Sequence, residues 1–247
     1  MGMVPQSRAL PVLITRPEPQ ASRFARALQD RYGKRALPVL SSVLAPVLLP
    51  MELPVDPFGA LILTSETGAR AAAALSSALP RQAFCVGDRT AEVASALGFQ
   101  AHSADGDADS LFALLLARPD AAPFLHLRGR EARGDLVARL NATGVQAQEV
   151  VVYAQEPQPL SPAAISLLSG EGPVIAPLFS PRSAEVFRRA LRDIPHSANL
   201  AARLQIAALS PAVAAIFTDF PSENVAIAAA PTQAELFLAL DRFMFIA

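Results

Sequence analysis

Hydroxyl and guanidinium side chains recur at the points where predicted strands give way to predicted helices. Residues 58–75 (FGALILTSETGARAAAAL) read as a buried strand, a Thr64-Ser65 pair and an Ala-rich helix. Residues 174–191 (VIAPLFSPRSAEVFRRAL) repeat this order, with Ser180 at the junction. The free N–H groups and positive dipole end of such helix starts favour anions. The junctions therefore predict a site for a ligand with several carboxylates, and the candidate contacts are Arg16, Thr64, Ser65, Arg128, Ser180 and Ser210.

Each of these residue types also has a purely structural role. A Ser or Thr at a strand–helix junction is often the cap of the helix. Arg16 and Arg128 occupy equivalent strand ends, where they either contact the ligand or lie on a solvated surface. Tyr153, one of two tyrosines, is either an amphipathic strand residue or a hydrogen-bond donor that faces the ligand. The residues alone leave these alternatives open.

Composition and motifs argue against several classes of protein. The net charge of −1 disfavours a nucleic-acid partner, which needs a basic face. The sequence has no Walker loop and no G-x-G-x-x-G, and its three histidines are too far apart for a metal site. His126, the one histidine near a junction, is expected to be structural. Cys85 has no partner for an intrachain disulfide, and no apolar run approaches the roughly 18 residues that span a bilayer. We expect a cytoplasmic monomer with a small-molecule substrate and no membrane partner.

Strand and helix patterns alternate along the whole chain, which predicts an α/β fold with parallel sheets. The chain also repeats itself. An ungapped alignment that places Arg16 on Arg128 also places Leu13 on Leu125 and Val39 on Val151. Ser65 likewise corresponds to Ser180. The order is therefore a, b, a′, b′, in which a is strand–helix–strand and b is the longer block with the serine.

Two assemblies satisfy this order. Either the chain divides in the middle, or the central b–a′ stretch forms a domain inserted into the other. We favour the insertion, with residues 1–38 and 156–247 in one domain, residues 42–152 in the other, and crossings at about 37–42 and 151–157. The extended segments ALPVL (36–40) and EVVVYA (149–154) are predicted to pair as a two-stranded ladder at these crossings.

The chain resembles the uroporphyrinogen-III synthases. The resemblance covers nearly the whole sequence and rests on an ordered set of motifs. These are TRP, LILTSETGA, VGDRTA…LG, LRG…L…LNATG, VVVY, FSPRSAEVF, LSPAVA and VAIAAAPT. The chain departs from the family at Ala212-Val213, where many members carry Thr.

The resemblance implies two flavodoxin-like domains, one inserted in the other and joined by a two-stranded β ladder. It implies cyclisation of the linear tetrapyrrole hydroxymethylbilane to uroporphyrinogen III, with inversion of the last ring, loss of water and no cofactor. By motif, Thr64, Ser65, Thr90 and Ser180 would line a cleft, largely through backbone N–H groups. Tyr153 would match the cleft tyrosine of the family and would be the catalytic residue.

Overall fold

A computed structural model describes residues 9–75, 79–132, 134–195 and 199–245. Strands and helices alternate through these residues. The strands are β1 (Leu10–Ile14), β2 (Ala36–Leu40), β3 (Leu44–Leu48), β4 (Ala60–Leu63), β5 (Gln82–Cys85), β6 (Gln100–Ser103), β7 (Phe124–Gly129), β8 (Ala147–Pro157), β9 (Val174–Leu178), β10 (Leu204–Ala208) and β11 (Val225–Ile227). The helices are α1 (Gln20–Tyr32), α2 (Glu66–Leu75), α3 (Asp88–Ala96), α4 (Ala108–Leu116), α5 (Leu136–Ala142), α6 (Pro162–Ser169), α7 (Pro181–Ala190), α8 (Leu200–Arg203), α9 (Pro211–Ala214) and α10 (Gln233–Met244).

The chain divides into two compact units. The first contains Met1–Ala45 and Pro157–Ala247, and the second contains Pro46–Glu156. The sheet of the first unit has the order β11-β10-β9-β1-β2, and its paired strands are parallel. Numbered along its own chain, this is the order 2-1-3-4-5 of flavodoxin-like sheets. This arrangement agrees with the predicted parallel α/β fold.

The sheet of the second unit has the order β3-β8-β7-β4-β5-β6. The five strands of this sheet other than β3 pair in parallel with their neighbours. When β7 and β8 are counted first, these strands also follow the order 2-1-3-4-5. The pair β7–β8 thus corresponds to β1–β2, and β4–β6 corresponds to β9–β11. Because β1 pairs with β9 and β4 pairs with β7, the central b–a′ stretch forms one sheet and the chain ends form the other.

The predicted pairing of ALPVL with EVVVYA was wrong. All five residues of Ala36–Leu40 pair in parallel with β1, as expected for a strand–helix–strand unit closed by α1. The segment Leu44–Leu48 pairs with β8 instead. The Leu49 N–H donates to the Val152 carbonyl and the Gln158 N–H to the Val43 carbonyl, so β3 and β8 run antiparallel. β3 lies at the edge of its sheet, where its Pro46 is tolerated.

The Pro-rich segment 41–57 contains β3. In the described residues the helix that follows β7 is α5, which begins at Leu136. Gly134 has φ of 104°, a conformation that glycine adopts readily and that an α-helix cannot contain. Residues 130–132 and 134–135 therefore lie in a loop that follows β7, with consequences for Arg128.

Each sheet is buried on both faces. In the first unit, Leu13 and Leu178 pack with α6 and α7 on one face, while Val12 and Ile14 pack with α1 and α10 on the other. In the second unit, one face of the sheet packs with α2 and α3, and the opposite face packs with α4 and α5. Parallel strands covered on both faces are expected to be continuously apolar, and β4 (Ala60–Leu63) and β9 (Val174–Leu178) are fully buried.

No helix among the described residues is both long enough and apolar enough to cross a membrane.

Candidate functional site

The neighbouring strands β4, β7 and β8 bring several predicted site residues of the second unit to one edge of its sheet. Thr64 and Ser65 follow the carboxyl end of β4, and Arg128 and Gly129 end β7. β7 pairs with β4 on one side and with β8, which carries Tyr153, on the other. Ligands of open parallel sheets bind at the carboxyl ends of the strands.

The hydroxyl of Tyr153 lies 2.9 Å from the Oγ of Ser65. The same Ser65 oxygen accepts a hydrogen bond from the Gly68 N–H at 2.9 Å, which caps the first turn of α2. Ser65 is therefore a helix cap, and the same side chain contacts Tyr153. Its contact with a ligand stays a prediction. The contact joins β8 to the N-terminus of α2.

An irregularity in strand pairing directs the Tyr153 ring. Arg128 pairs with Val151, but the next residue, Gly129, pairs with Tyr153, so Val152 is an extra residue in β8. Such a bulge changes the direction of the side chains that follow it. The ring of Tyr153 then lies on the backbone of Gly129. A Cβ atom at position 129 would lie only 2.6 Å from the Cζ and 2.9 Å from the hydroxyl oxygen of Tyr153.

The phenol of Tyr153 is 8% exposed and favours its protonated form. Burial is the main cause that raises its pKa above the usual value of 10, the nearby Glu131 carboxylate raises it further, and the Ser65 hydrogen bond acts in the opposite direction. At neutral pH Tyr153 therefore carries a hydroxyl hydrogen that can be donated.

Thr64 contacts His126, which the sequence predicted to be structural. The Oγ1 of Thr64 lies 3.2 Å from the Nε2 of His126, whose residue is 6% exposed. Burial, with a smaller effect of Arg128, lowers the pKa of His126 to about 4, although Glu149 opposes this change. His126 is therefore neutral at neutral pH.

The Arg128 side chain is hydrogen-bonded to the loop that follows β7 and forms an ion pair with a residue of β8. Its Nη2 lies 2.8 Å from the Oε1 of Glu149, and its Nη1 donates to the Ala132 carbonyl at 3.2 Å. The second bond exists because the chain forms a loop rather than a helix after Gly129. Contact of this guanidinium with a substrate stays a prediction.

Thr90 lies in the first turn of α3, after the carboxyl end of β5, and it is buried. The cap position of α3 is occupied by Gly87, which makes no side-chain bond to the helix. In the described part of the chain, Tyr153 and Ser65 bond to each other and Ser65 bonds to the Gly68 N–H, whereas Thr90 takes no part in these bonds. The structure therefore places Thr90 one strand away from that pair.

The first unit carries the other predicted residues. Ser180 is the cap of α7, and its Oγ accepts from the Ser183 N–H at 3.2 Å. Ser210 precedes the four-residue α9 without a side-chain cap bond. The Arg16 guanidinium lies 4.0 Å from the centre of the Phe179 ring, and burial is the main cause that lowers its pKa. Contact of Arg16, Ser180 and Ser210 with a ligand stays a prediction.

Sequence reasoning missed the part that Gly129 plays. The Arg128-Gly129 pair was visible at a strand end, but the contact with Tyr153 depends on the pairing between β7 and β8. No group of three or more His, Cys, Asp or Glu side chains in the described ranges could hold a metal ion. His196 lies outside those ranges.

Residues 11–237 match the sequence profile of the family described as uroporphyrinogen-III synthase HemD. The chain belongs to the uroporphyrinogen-III synthase family. The resemblance drawn from the motifs is therefore confirmed. The uroporphyrinogen-III synthase fold is also found in a solved crystal structure, that of uroporphyrinogen-III synthetase from Helicobacter pylori 26695. The comparison of that structure with this chain gives a TM-score of 0.59 and 18% sequence identity, and it covers 94% of this chain and 99% of that chain. The comparison with curated proteins found no significant match.

Proposed function

We propose that this protein, as a lyase, converts hydroxymethylbilane to uroporphyrinogen III with inversion of ring D, release of water and no cofactor. Membership of the family supports the overall reaction. The observation that supports a chemical role for this chain's own residues is the placement of Tyr153, whose hydroxyl lies on Ser65 at the start of α2.

The substrate carries eight carboxylates, and the strand ends offer donors that suit them. Helix N-termini present free N–H groups and a positive dipole end. The proposed contacts in the second unit are Thr64, Ser65, Thr90 and Arg128, and those in the first unit are Arg16, Ser180 and Ser210. Binding largely through backbone N–H groups explains why the chain needs little excess of positive charge, since its net charge is −1.

Catalysis begins with departure of the terminal hydroxyl group. The carbon–oxygen bond breaks with its electron pair on oxygen, the departing hydroxide takes a proton from solvent and leaves as water, and an azafulvene cation remains on the bilane. A pyrrole proton returns to solvent when the macrocycle closes. Ring D then attacks this cation and forms a spiro intermediate that allows the ring to invert. Holding the two ends of a flexible chain together lowers the entropic part of the barrier.

Tyr153 assists this departure by donating a hydrogen bond to the leaving hydroxyl. Its raised pKa disfavours complete transfer of the phenolic proton, so donation without transfer is the favoured role. Ser65 accepts from the Gly68 N–H and has its own hydrogen to give to the Tyr153 oxygen. In that orientation the phenolic hydrogen is available to the substrate. Removal of one preorganised hydrogen-bond donor of this kind costs about 10²–10³-fold in kcat.

The product isomer tests the proposal. The purified protein is given hydroxymethylbilane, and uroporphyrinogen isomers I and III are separated by chromatography after oxidation. Isomer III is the expected product, because unassisted closure gives isomer I. Formation of isomer I alone would contradict the proposal. If the protein then also retained unchanged bilane, it would be a non-catalytic binding protein for polycarboxylates.

A further inference from the structure

The Thr64 hydroxyl has a partner that restricts its direction. Thr64 is half-buried at the end of β4, and His126 lies in the adjacent strand β7, paired with Ile62. The bond between Thr64 Oγ1 and His126 Nε2 is 3.2 Å long. The cap of α2 is supplied by Ser65, which accepts from the Gly68 N–H. Ser65 rather than Thr64 therefore caps α2, and the Thr64 hydroxyl is hydrogen-bonded to His126 instead.

The other nitrogen of His126 decides which tautomer is favoured. The Nδ1 atom is buried and has no hydrogen-bond partner among the described residues. A neutral imidazole has one N–H donor and one lone-pair acceptor. Burying an N–H without a partner is rarer in proteins than leaving an acceptor incompletely satisfied. The favoured tautomer of neutral His126 therefore carries its hydrogen on Nε2 and its lone pair on Nδ1.

This tautomer fixes the role of the Thr64 hydroxyl. Because His126 donates through Nε2, Thr64 Oγ1 is the acceptor in their bond. The hydroxyl hydrogen of Thr64 then points away from the imidazole and can be given to another group. A carboxylate has only acceptor atoms, so it is the ligand group that matches this hydroxyl.

We infer that His126 is a positioning residue that holds the Thr64 hydroxyl as a hydrogen-bond donor toward a carboxylate of the substrate. This inference rests on the proposed function for the identity of the ligand. It does not give His126 a contact with the substrate, nor any proton transfer. It predicts an effect on substrate binding that passes through Thr64.

The tautomer is measured directly by nitrogen-15 NMR of the wild-type protein at pH 7, with long-range proton–nitrogen correlation in the imidazole rings. The His126→Gln variant assigns the signals among the three histidines. We expect a protonated Nε2 and an unprotonated Nδ1 for His126. A protonated Nδ1, or a doubly protonated ring, would overturn the inference whether or not the protein is active.

Kinetics test the effect on the substrate once the wild type has been shown to form isomer III. His126→Leu is expected to raise KM for hydroxymethylbilane about tenfold. Without His126 the Thr64 hydroxyl is no longer held toward the carboxylate, and the lost hydrogen bond is one to a charged group. It should change kcat little, because the lost contact serves the ground state and transition state alike. His126→Gln, whose amide retains a donor near the Nε2 position, should recover most of the affinity. His102→Gln, at an exposed residue of β6, is the matched control and should leave KM unchanged.

A double-mutant cycle separates this role from simple packing. Thr64→Val should raise KM by about the same factor as His126→Leu, and the combined variant should raise it no further, because both changes remove one interaction. Additive effects of the two changes would contradict the inference. So would an unchanged KM in a folded His126→Leu variant. If that variant does not fold, the tautomer measured in the wild type decides the question.

Discussion

Replacing Gly129 with Ala should displace the Tyr153 ring while leaving the backbone of β7 in place. The backbone of Gly129 is outside the left-handed region, so an alanine is compatible with its conformation. The new Cβ would lie 2.6 Å from Tyr153 Cζ and 2.7 Å from its Cε2. Carbon atoms in contact are about 3.5–4.0 Å apart. The ring must therefore move by about 1 Å, and the hydroxyl moves with it.

The magnitudes decide the sign of the change in stability. Replacing glycine with alanine where no strain arises stabilises a protein by about 0.4–1 kcal/mol through the unfolded state. Overpacking of a buried site destabilises by about 1–3 kcal/mol. Loss of the bond between Tyr153 and Ser65 adds about 0.5–1.5 kcal/mol. Gly129→Ala should therefore lower the free energy of unfolding by about 0.5–4 kcal/mol in urea titrations.

The same displacement should slow the reaction. A misplacement of 1 Å in a catalytic group can reduce the rate by about 10²-fold. We expect kcat for formation of isomer III to fall by about that factor in Gly129→Ala. Gly172→Ala is the matched control, because a Cβ there meets nothing within 4 Å. It should retain both kcat and stability.

A double-mutant cycle shows whether the loss passes through the phenol. In a Tyr153→Phe background, Gly129→Ala should have little further effect on kcat, since the hydroxyl that it displaces is already absent. Independent, multiplicative losses would refute the reasoning. So would a Gly129→Ala enzyme with the stability and turnover of the wild type.

Three other variants or conditions test the electrostatics. His126 binds its proton near pH 6.5 when unfolded and near pH 4 when folded, so its contribution of about 3 kcal/mol should be complete above pH 6.5 and lost as the pH falls toward 4. Urea titrations at several pH values should show that the free energy of unfolding of the wild type falls over this pH range and that the free energy of unfolding of His126→Gln falls less. Arg128→Ala should lower the free energy of unfolding by about 1–3 kcal/mol, because it removes the bonds to Ala132 and Glu149, and a variant as stable as the wild type would contradict this assignment. Asp241→Asn, which weakens the pair with Arg31, should lower stability by up to about 1 kcal/mol and leave kcat unchanged.

Local sequence patterns were sufficient for the class of fold. Buried strands such as Ala60–Leu63 and Val174–Leu178 are short apolar runs, each followed by a residue that caps the next helix. Both strands can therefore be recognised from the local sequence. The internal repeat also matches the structure, because equivalent residues such as Leu13 and Leu125 lie in equivalent strands, β1 and β7. Pattern and duplication together predict two related α/β units with parallel sheets.

Pairing partners could not be read in the same way. ALPVL and LAPVL contain the same residues, so propensity cannot show which of them pairs with β8. The bulge at Gly129 depends on the register between β7 and β8, which no short segment of sequence carries. The candidate residues at strand ends were therefore visible, whereas the contacts that orient Tyr153 and Thr64 required the structure.

The two tyrosines allow the most direct test of the proposed chemistry. Tyr153→Phe should reduce kcat for isomer III by about 10²-fold or more, since it removes the donor to the leaving hydroxyl. Tyr32→Phe is the matched control, because its hydroxyl bonds Asp241 and the Phe237 carbonyl in the first unit and has no part in the proposed reaction. It should lower stability but retain kcat. A folded Tyr153→Phe enzyme that forms isomer III within twofold of the wild-type rate would contradict the assignment of Tyr153.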